Sequence, residues 1–231
     1  GFQIDVTGYQ HKEGKLDMYT GHKIAPGFFA WAIPTGTTTR IGTFSRPDLL
    51  GSRSSEETLT ELINHELWKH RFDGCSEVGR YCGPVPAKPI RKPAVGRVFV
   101  FGDAAGLCKP TTGGGIGPGF LHVDNSLELI SNVIGSDRPN LNATDRLARQ
   151  IIKPIMKRHN RARALRDFFL TNSTDEELES IFRIWARPDV IEIIQKYGEI
   201  ENPVPLGLKM LKDVPEFRRI AIRAANSLVF A

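Results

Sequence analysis

Residues 102–116 read Gly-Asp-Ala-Ala-Gly-Leu-Cys-Lys-Pro-Thr-Thr-Gly-Gly-Gly-Ile and follow directly on the apolar run Val98-Phe99-Val100-Phe101. This pattern predicts a buried strand over 97–101, a carboxylate at its end, a proline-bearing loop and a glycine cluster that opens a helix. A carboxylate placed there can accept hydrogen bonds from sugar hydroxyls, because ligands of open α/β sheets bind at the carboxyl ends of the strands. Gly113, Gly114 and Gly115 lack a Cβ, so backbone there can approach a flat ring closely. The helix behind them offers unpaired N–H groups and a partial positive charge. Such a set suits a large cofactor with a polyhydroxy chain and an electron-rich ring. The competing reading is a glycine-rich connection with a structural aspartate.

The elements that must position this loop are legible from periodicity and punctuation. Residues 3–44 read as antiparallel strands, punctuated by Gly8, Gly14, Gly21 and Gly36. Phe28 to Ile33 forms a strand stopped by Pro34, and Thr37 to Thr43 is its return. Alternation puts Phe29, Trp31 and Ile33 on one face. Ser54 or Ser55 caps a helix running to about Lys69. Residues 73–97 are a Gly- and Pro-rich connector with one short strand near Glu77–Pro84. Ile116 to about Ile134 is a helix ended by Gly135 and Pro139. From Asn142 the chain reads as all helical: a segment from Arg146 to Leu170 bent at Pro154, then 175–185 capped by Thr174, 189–197, 206–211 and 215–229.

Composition narrows the class. The 231 residues carry 40% hydrophobic and 25% charged side chains, a soluble globular balance. The net charge of +5 is compatible with anionic head groups, nucleic acid or phosphate-bearing cofactors. No 18-residue apolar run and no signal peptide appears, so a cytoplasmic or peripheral membrane location is expected. Cys75, Cys82 and Cys108 are odd in number, with no Cys-x-x-Cys pair, so no zinc site is expected. His65, His70, His122 and His159 have no metal-ligand spacing, and no metal is expected. Arg146, Arg149, Lys153, Lys157, Arg158, Arg161, Arg163 and Arg166 crowd one segment. They read either as a solvated face or as a site for an anionic lipid surface. No aromatic stacking pattern accompanies them, so nucleic acid is not the expected partner.

The motif Gly102-Asp103-Ala104-Ala105-Gly106 with Pro110-Thr111-Thr112-Gly113-Gly114-Gly115-Ile116 resembles the second FAD motif of the geranylgeranyl reductase family. That family belongs to the flavoproteins shaped like para-hydroxybenzoate hydroxylase, and the string from Lys109 is most similar to its archaeal members, the digeranylgeranylglycerophospholipid reductases. A second family motif, Tyr-x-Trp-x-Phe-Pro followed by Gly-x-Gly, is similar to Phe29-Ala30-Trp31-Ala32-Ile33-Pro34, seven residues, then Gly42-Thr43-Phe44. Trp31, Pro34 and Gly42 match; Phe29, Ile33 and Phe44 depart from it. The tail around Phe168-Phe169-Leu170 is also similar to archaeal members.

The resemblance implies FAD as cofactor. Gly102, Asp103, Pro110, Gly113, Gly114, Gly115 and Ile116 would bind it, with Asp103 at the ribityl–diphosphate region and the Gly115 and Ile116 amides at the isoalloxazine. Phe29, Trp31, Ile33, Pro34 and Gly42 would bind an isoprenoid lipid. The implied activity is reduction of isolated double bonds in geranylgeranyl chains, with ferredoxin or a nicotinamide cofactor as electron donor. No catalytic residue is assigned. The implied fold is α/β (α+β), with part of an antiparallel substrate sheet over 1–95, the end of an FAD domain over 96–140 and a helical region over 141–231. The family's Gly-x-Gly-x-x-Gly unit does not stand near residue 1, so the chain reads as a C-terminal fragment that binds FAD weakly or not at all alone. The alternatives are a related flavin hydroxylase or halogenase, which would share the Gly-Asp motif, and a non-catalytic lipid- or partner-binding module.

Overall fold

Phe2, Ile4 and Val6 alternate with Gln3 and Asp5, and the chain folds as this period demands. The computed structural model describes residues 1–199 and 204–229. Strand β1 (Phe2–Thr7) buries its three apolar residues and turns the polar ones to the other face. It pairs antiparallel with β4 (Thr39–Thr43) and β5 (Ser76–Cys82). With β2 (Asp17–Tyr19) and β3 (Ala30–Pro34) they form a five-stranded sheet of order β2-β3-β4-β1-β5. Helix α1 (Ser55–Ile63) covers the apolar face, and Leu59 and Leu62 join Ile4, Val6, Ala30, Ala32 and Ile41 in one core. Ser54 caps α1 through its side chain, and Glu57 returns the bond to Ser54 N. The helix stops at Ile63, short of Lys69, because Asn64 leaves helical geometry and Lys69–Arg71 forms a separate 3-10 turn.

Two compact units divide the chain. The first holds Gly1–Pro84 and Arg166–Ala186, the second Val85–Leu165 and Arg187–Ala231. Helix α4 (Asp175–Trp185) belongs to the first unit and carries a second capping box, from Thr174 and Glu177. His22 Nδ1 meets Asp175 Oδ1 at 2.7 Å, tying the start of α4 to the loop after β2.

In the second unit, a two-stranded hairpin of β6 (Ala94–Val95) and β7 (Val98–Phe99) leads into the glycine loop. The buried strand expected over 97–101 is therefore only two residues long, and Val98 is exposed. It pairs with β6, and Phe99 packs against Ala94, Leu129 and Ala148. Helix α2 (Ile116–Ile134) has the expected limits, closed at Gly135. Helix α3 (Leu141–Arg166) runs unbroken through Pro154, and residues 167–171 continue it as a π-helical turn. Helices α5 (Pro188–Tyr197), α6 (Val204–Asp213) and α7 (Pro215–Val229) complete the unit. Among the described residues no helix is long and apolar enough to cross a membrane.

Candidate functional site

The loop after β7 is braced from behind. Gly102–Ala105 forms one 3-10 turn, and Gly106 closes it in the left-handed region at φ 73°. Ile90 N donates to Ala105 O at 3.0 Å and Cys108 N to Pro86 O at 3.2 Å, so the loop lies along the 86–90 segment. Ala105 and Leu107 are sealed against Ile152 and Ile155 of α3. His159, also on α3, reaches Leu107 O through Nε2 at 3.0 Å and Ile155 O through Nδ1 at 3.1 Å. In its Nε2–H tautomer this ring fixes the loop's backbone directly.

The outer side of the same loop is open. Asp103 is exposed, and so are Thr112, Gly114 and Ile116. Lys109 N donates to Gly114 O at 3.0 Å and Gly113 N to Lys109 O at 2.8 Å, which folds residues 109–114 into a tight ring around buried Pro110. Gly113 takes φ 73°, a conformation that favours glycine. Gly115 caps α2, and the first helical bond runs from Gly119 N to Gly115 O at 2.9 Å. A Cβ on Gly115 would stand 1.8 Å from Asp103 Oδ1. The carboxylate therefore rests on the Gly115 backbone, beside the amides that open α2. Asp103 and residues 113–116, ten or more positions apart in sequence, meet in one place.

Cys108 lies under this surface and is buried. Burial first, and then its hydrogen bond to Asp103, push the thiol up to about 12. It stays a thiol and steadies the carboxylate above it. Cys82 is exposed, and all three cysteines are free. Under native conditions a disulfide reagent should modify Cys82 at least about a hundredfold faster than Cys108; equal rates, followed by mass spectrometry, would contradict this packing.

His122 sits two turns into α2, fully buried, with its ring 4.9 Å from that of Phe101. Its Nδ1 has no hydrogen-bond partner among the described residues. Desolvation lowers its pKa from 6.5. The unfolded chain then binds this proton at a higher pH than the folded one. Stability is therefore complete above about pH 6.5 and falls as pH drops through the interval down to the folded pKa. His122→Leu should flatten the fall of the denaturation midpoint below about pH 6.5; an unchanged slope would contradict it.

The second predicted set lies on the sheet of the first unit. Register places Met18, Trp31, Gly42, Gln3 and Tyr81 in one row across the five strands, on the face away from α1. Trp31 is 7% exposed, Ile33 is 37% exposed, and Phe29 is half-buried just before β3. The Phe29, Trp31 and Phe44 rings stack edge to face, with centroids 4.7 to 6.0 Å apart. A Cβ on Gly42 would stand 2.4 Å from the Trp31 ring, so the absent side chain is what lets the indole lie across β4. Pro34 ends β3 opposite Thr39. The structure thus brings Phe29, Trp31 and Gly42 into one aromatic cluster, with Ile33 and Pro34 further along the strand.

One cluster gave no signal in the sequence. Tyr9 donates to Asp17 Oδ2 at 2.8 Å and meets the Tyr19 hydroxyl at 2.6 Å, and Arg71 pairs with Asp17 at 2.5 Å. Asp17, Tyr19 and Arg71 line a cleft of about 490 Å³ together with His65, Trp68 and Phe182. Asp17 and Tyr19 share β2, but Tyr9 and Arg71 come from elsewhere in the chain, so only the tertiary fold reveals the cluster.

Comparisons with known proteins agree with this architecture. No family model matches the chain. The digeranylgeranylglycerophospholipid reductase of Methanocaldococcus jannaschii is 28% identical over 207 residues, which are 86% of this chain and 50% of that protein. Digeranylgeranylglycerophospholipid reductase 1 of Methanococcoides burtonii is 32% identical over 116 residues, 49% of this chain and 27% of that one. The crystal structure of a geranylgeranyl bacteriochlorophyll reductase-like protein from Thermoplasma acidophilum matches with a TM-score of 0.74 at 19% identity. It covers 96% of this chain and 54% of that one. That likeness defines the class of fold: mixed α/β, with an antiparallel sheet and, among the described residues, seven α-helices. Along most of its length the chain is similar to archaeal digeranylgeranylglycerophospholipid reductases, at 28% and 26% identity. It spans about half the length of the curated relatives that it matches along most of its own sequence.

Proposed function

We propose that the chain carries the isoalloxazine-binding part of an FAD-dependent reductase that saturates isolated double bonds in geranylgeranyl chains of membrane-lipid precursors. The observation that carries this reading is the seat of the Asp103 carboxylate on the Gly115 backbone, in an exposed loop at the start of α2. A side chain at 115 would fill the very place where carboxylate and helix amides converge, so the residues fit a flat, hydroxylated cofactor. Asp103 accepts hydrogen bonds from the ribityl hydroxyls. The Gly115 and Ile116 amides donate to the ring, and the positive end of α2 favours negative charge there. Gly102, Pro110, Gly113 and Gly114 shape the backbone around it.

The sheet residues Phe29, Trp31 and Ile33, with Pro34 and Gly42, line the isoprenoid chain and keep water from it. Each methylene buried in such a wall contributes about 0.8 kcal/mol. When bound and reduced, FAD would supply a hydride to one alkene carbon, with a proton reaching the other carbon from a donor not assigned among these residues; its own reductant would be a ferredoxin or a nicotinamide cofactor. The protein's share is orientation and exclusion of water. In this reading residues 1–95 belong to the substrate sheet, 96–140 to the cofactor domain of a para-hydroxybenzoate hydroxylase-like fold, and 141–231 to a helical region. The protein works at or near a membrane surface.

Saturation-transfer NMR tests the assignment, because it detects weak binding. With FAD and the full chain, the dimethylbenzene protons of the isoalloxazine should saturate more strongly than the adenine protons. Stronger saturation of adenine would overturn the reading.

A further inference from the structure

Helix α3 holds eight lysines and arginines and a single acid, Asp145, within its 26 residues. Their placement is not uniform. At 100° per residue, Arg146, Arg149, Lys153, Lys157 and Arg161 fall within about a 120° arc. All five are exposed. They form a row about 22 Å long at the helical rise. Asp145 lies off this arc, and no ion pair to any of the five occurs among the described residues. The opposite face of α3, with Ala148, Ile152, Ile155 and His159, is fully occupied by the core. The arc is thus the helix's solvent side by construction.

Several arginines elsewhere in the chain are paired. Arg40, Arg80, Arg183 and Arg187 each hold a carboxylate. The charge is also segregated between units. The second unit carries 20 lysines and arginines against 11 acids, whereas the first carries 11 against 15. On other helices Arg183 and Lys209 hold acids four residues away, whereas in the row only Arg149 has an acid at that spacing, Asp145, and the two form no ion pair among the described residues.

We propose that this row of α3 docks on the surface of an anionic phospholipid bilayer. A straight row of point charges matches a plane of head groups. The row has no exposed aromatic side chain to wedge into the acyl region, and α3 contains no Phe, Tyr or Trp at all. The association is therefore electrostatic and reversible rather than inserted. The same absence of stacking groups disfavours single-stranded nucleic acid. The inference stands apart from the flavin reading, since it uses neither the glycine loop nor the sheet.

The test is vesicle co-sedimentation of the full chain with vesicles of 30% phosphatidylglycerol in phosphatidylcholine, and with phosphatidylcholine alone. The chain should bind the first and not the second, and should lose binding as salt rises. Each cation near such a surface changes partition about fivefold. The double variant Arg149→Gln/Lys153→Gln should therefore bind about 25-fold more weakly. Neutralising all five should weaken it at least about a hundredfold. A control with Lys12→Gln, Lys15→Gln and Lys69→Gln, exposed cations of the first unit, should bind like the wild type. Circular dichroism checks that each variant folds, and the double variant retains three of the five cations if the fivefold one does not fold. Wild-type-like binding by the double variant would overturn the proposal. So would binding to neutral vesicles, equal loss in the control, or tighter binding to duplex DNA than to vesicles at equal phosphate.

Discussion

Gly106→Ala is expected to lower the stability of the second unit by about 3 kcal/mol or more. Two costs add. The residue sits at φ 73°, where an L side chain is disfavoured by about 1–2 kcal/mol. Its Cβ would also stand 2.1 Å from the carbonyl oxygen of Lys88, and 2.7 Å from that group's carbon. Backbone cannot rotate aside as a side-chain end can. Relief requires moving the 86–90 segment, which breaks the Ile90–Ala105 and Cys108–Pro86 hydrogen bonds. Urea denaturation followed by far-UV circular dichroism measures this. A loss below about 1 kcal/mol would show that the loop is not clamped between α3 and the 86–90 segment.

Gly115→Ala should behave oppositely. Gly115 has φ −103° and ψ −17°, which alanine adopts freely. The atom it would strike is the exposed end of the Asp103 side chain, and that carboxylate can swing away. Stability should change by less than about 1 kcal/mol. Flavin binding should fall at least about tenfold, because the displaced carboxylate no longer meets the ribityl hydroxyls and the new methyl group covers the α2 amides. Two glycines nine positions apart thus separate a structural role from a binding one. Equal stability losses in the two variants would remove that distinction.

How much of this was legible in the sequence follows from the range of the forces involved. Local ones wrote themselves plainly. Ser54 and Thr174 stood out as caps, and Gly135 closed α2 where expected. The alternation Phe2-Gln3-Ile4-Asp5-Val6 gave β1 its faces. Effects that depend on distant partners were hidden. Val98 and Phe99 have the composition of a buried strand, but the chain offers only β6 as a neighbour. Pro154 left open whether α3 is one segment or two, and the packing of Ile152 and Ile155 beneath the glycine loop accompanies a single helix.

The candidate site shows the same division. Glycines 113–115 and Asp103 announced themselves by type and spacing. Their meeting did not, nor did the bracing by His159 or the thiol of Cys108 under the carboxylate. Those contacts span up to 52 residues, and no local pattern encodes them. On the sheet, Gly42 was visible as a motif residue. Its physical reason, the Trp31 ring lying where a Cβ would be, needed the register of β3 on β4.

The central claim is that residues 102–116 grip the isoalloxazine end of FAD. Backbone amide shifts of the isotopically labelled chain during titration with FAD test it most directly, because millimolar affinity suffices to be seen. The account expects perturbations centred on Gly102, Asp103 and Gly113 to Ile116, and their disappearance in Asp103→Ala with the remaining spectrum unchanged. Perturbations confined to other residues, or a response at 113–116 that survives Asp103→Ala undiminished, would contradict it.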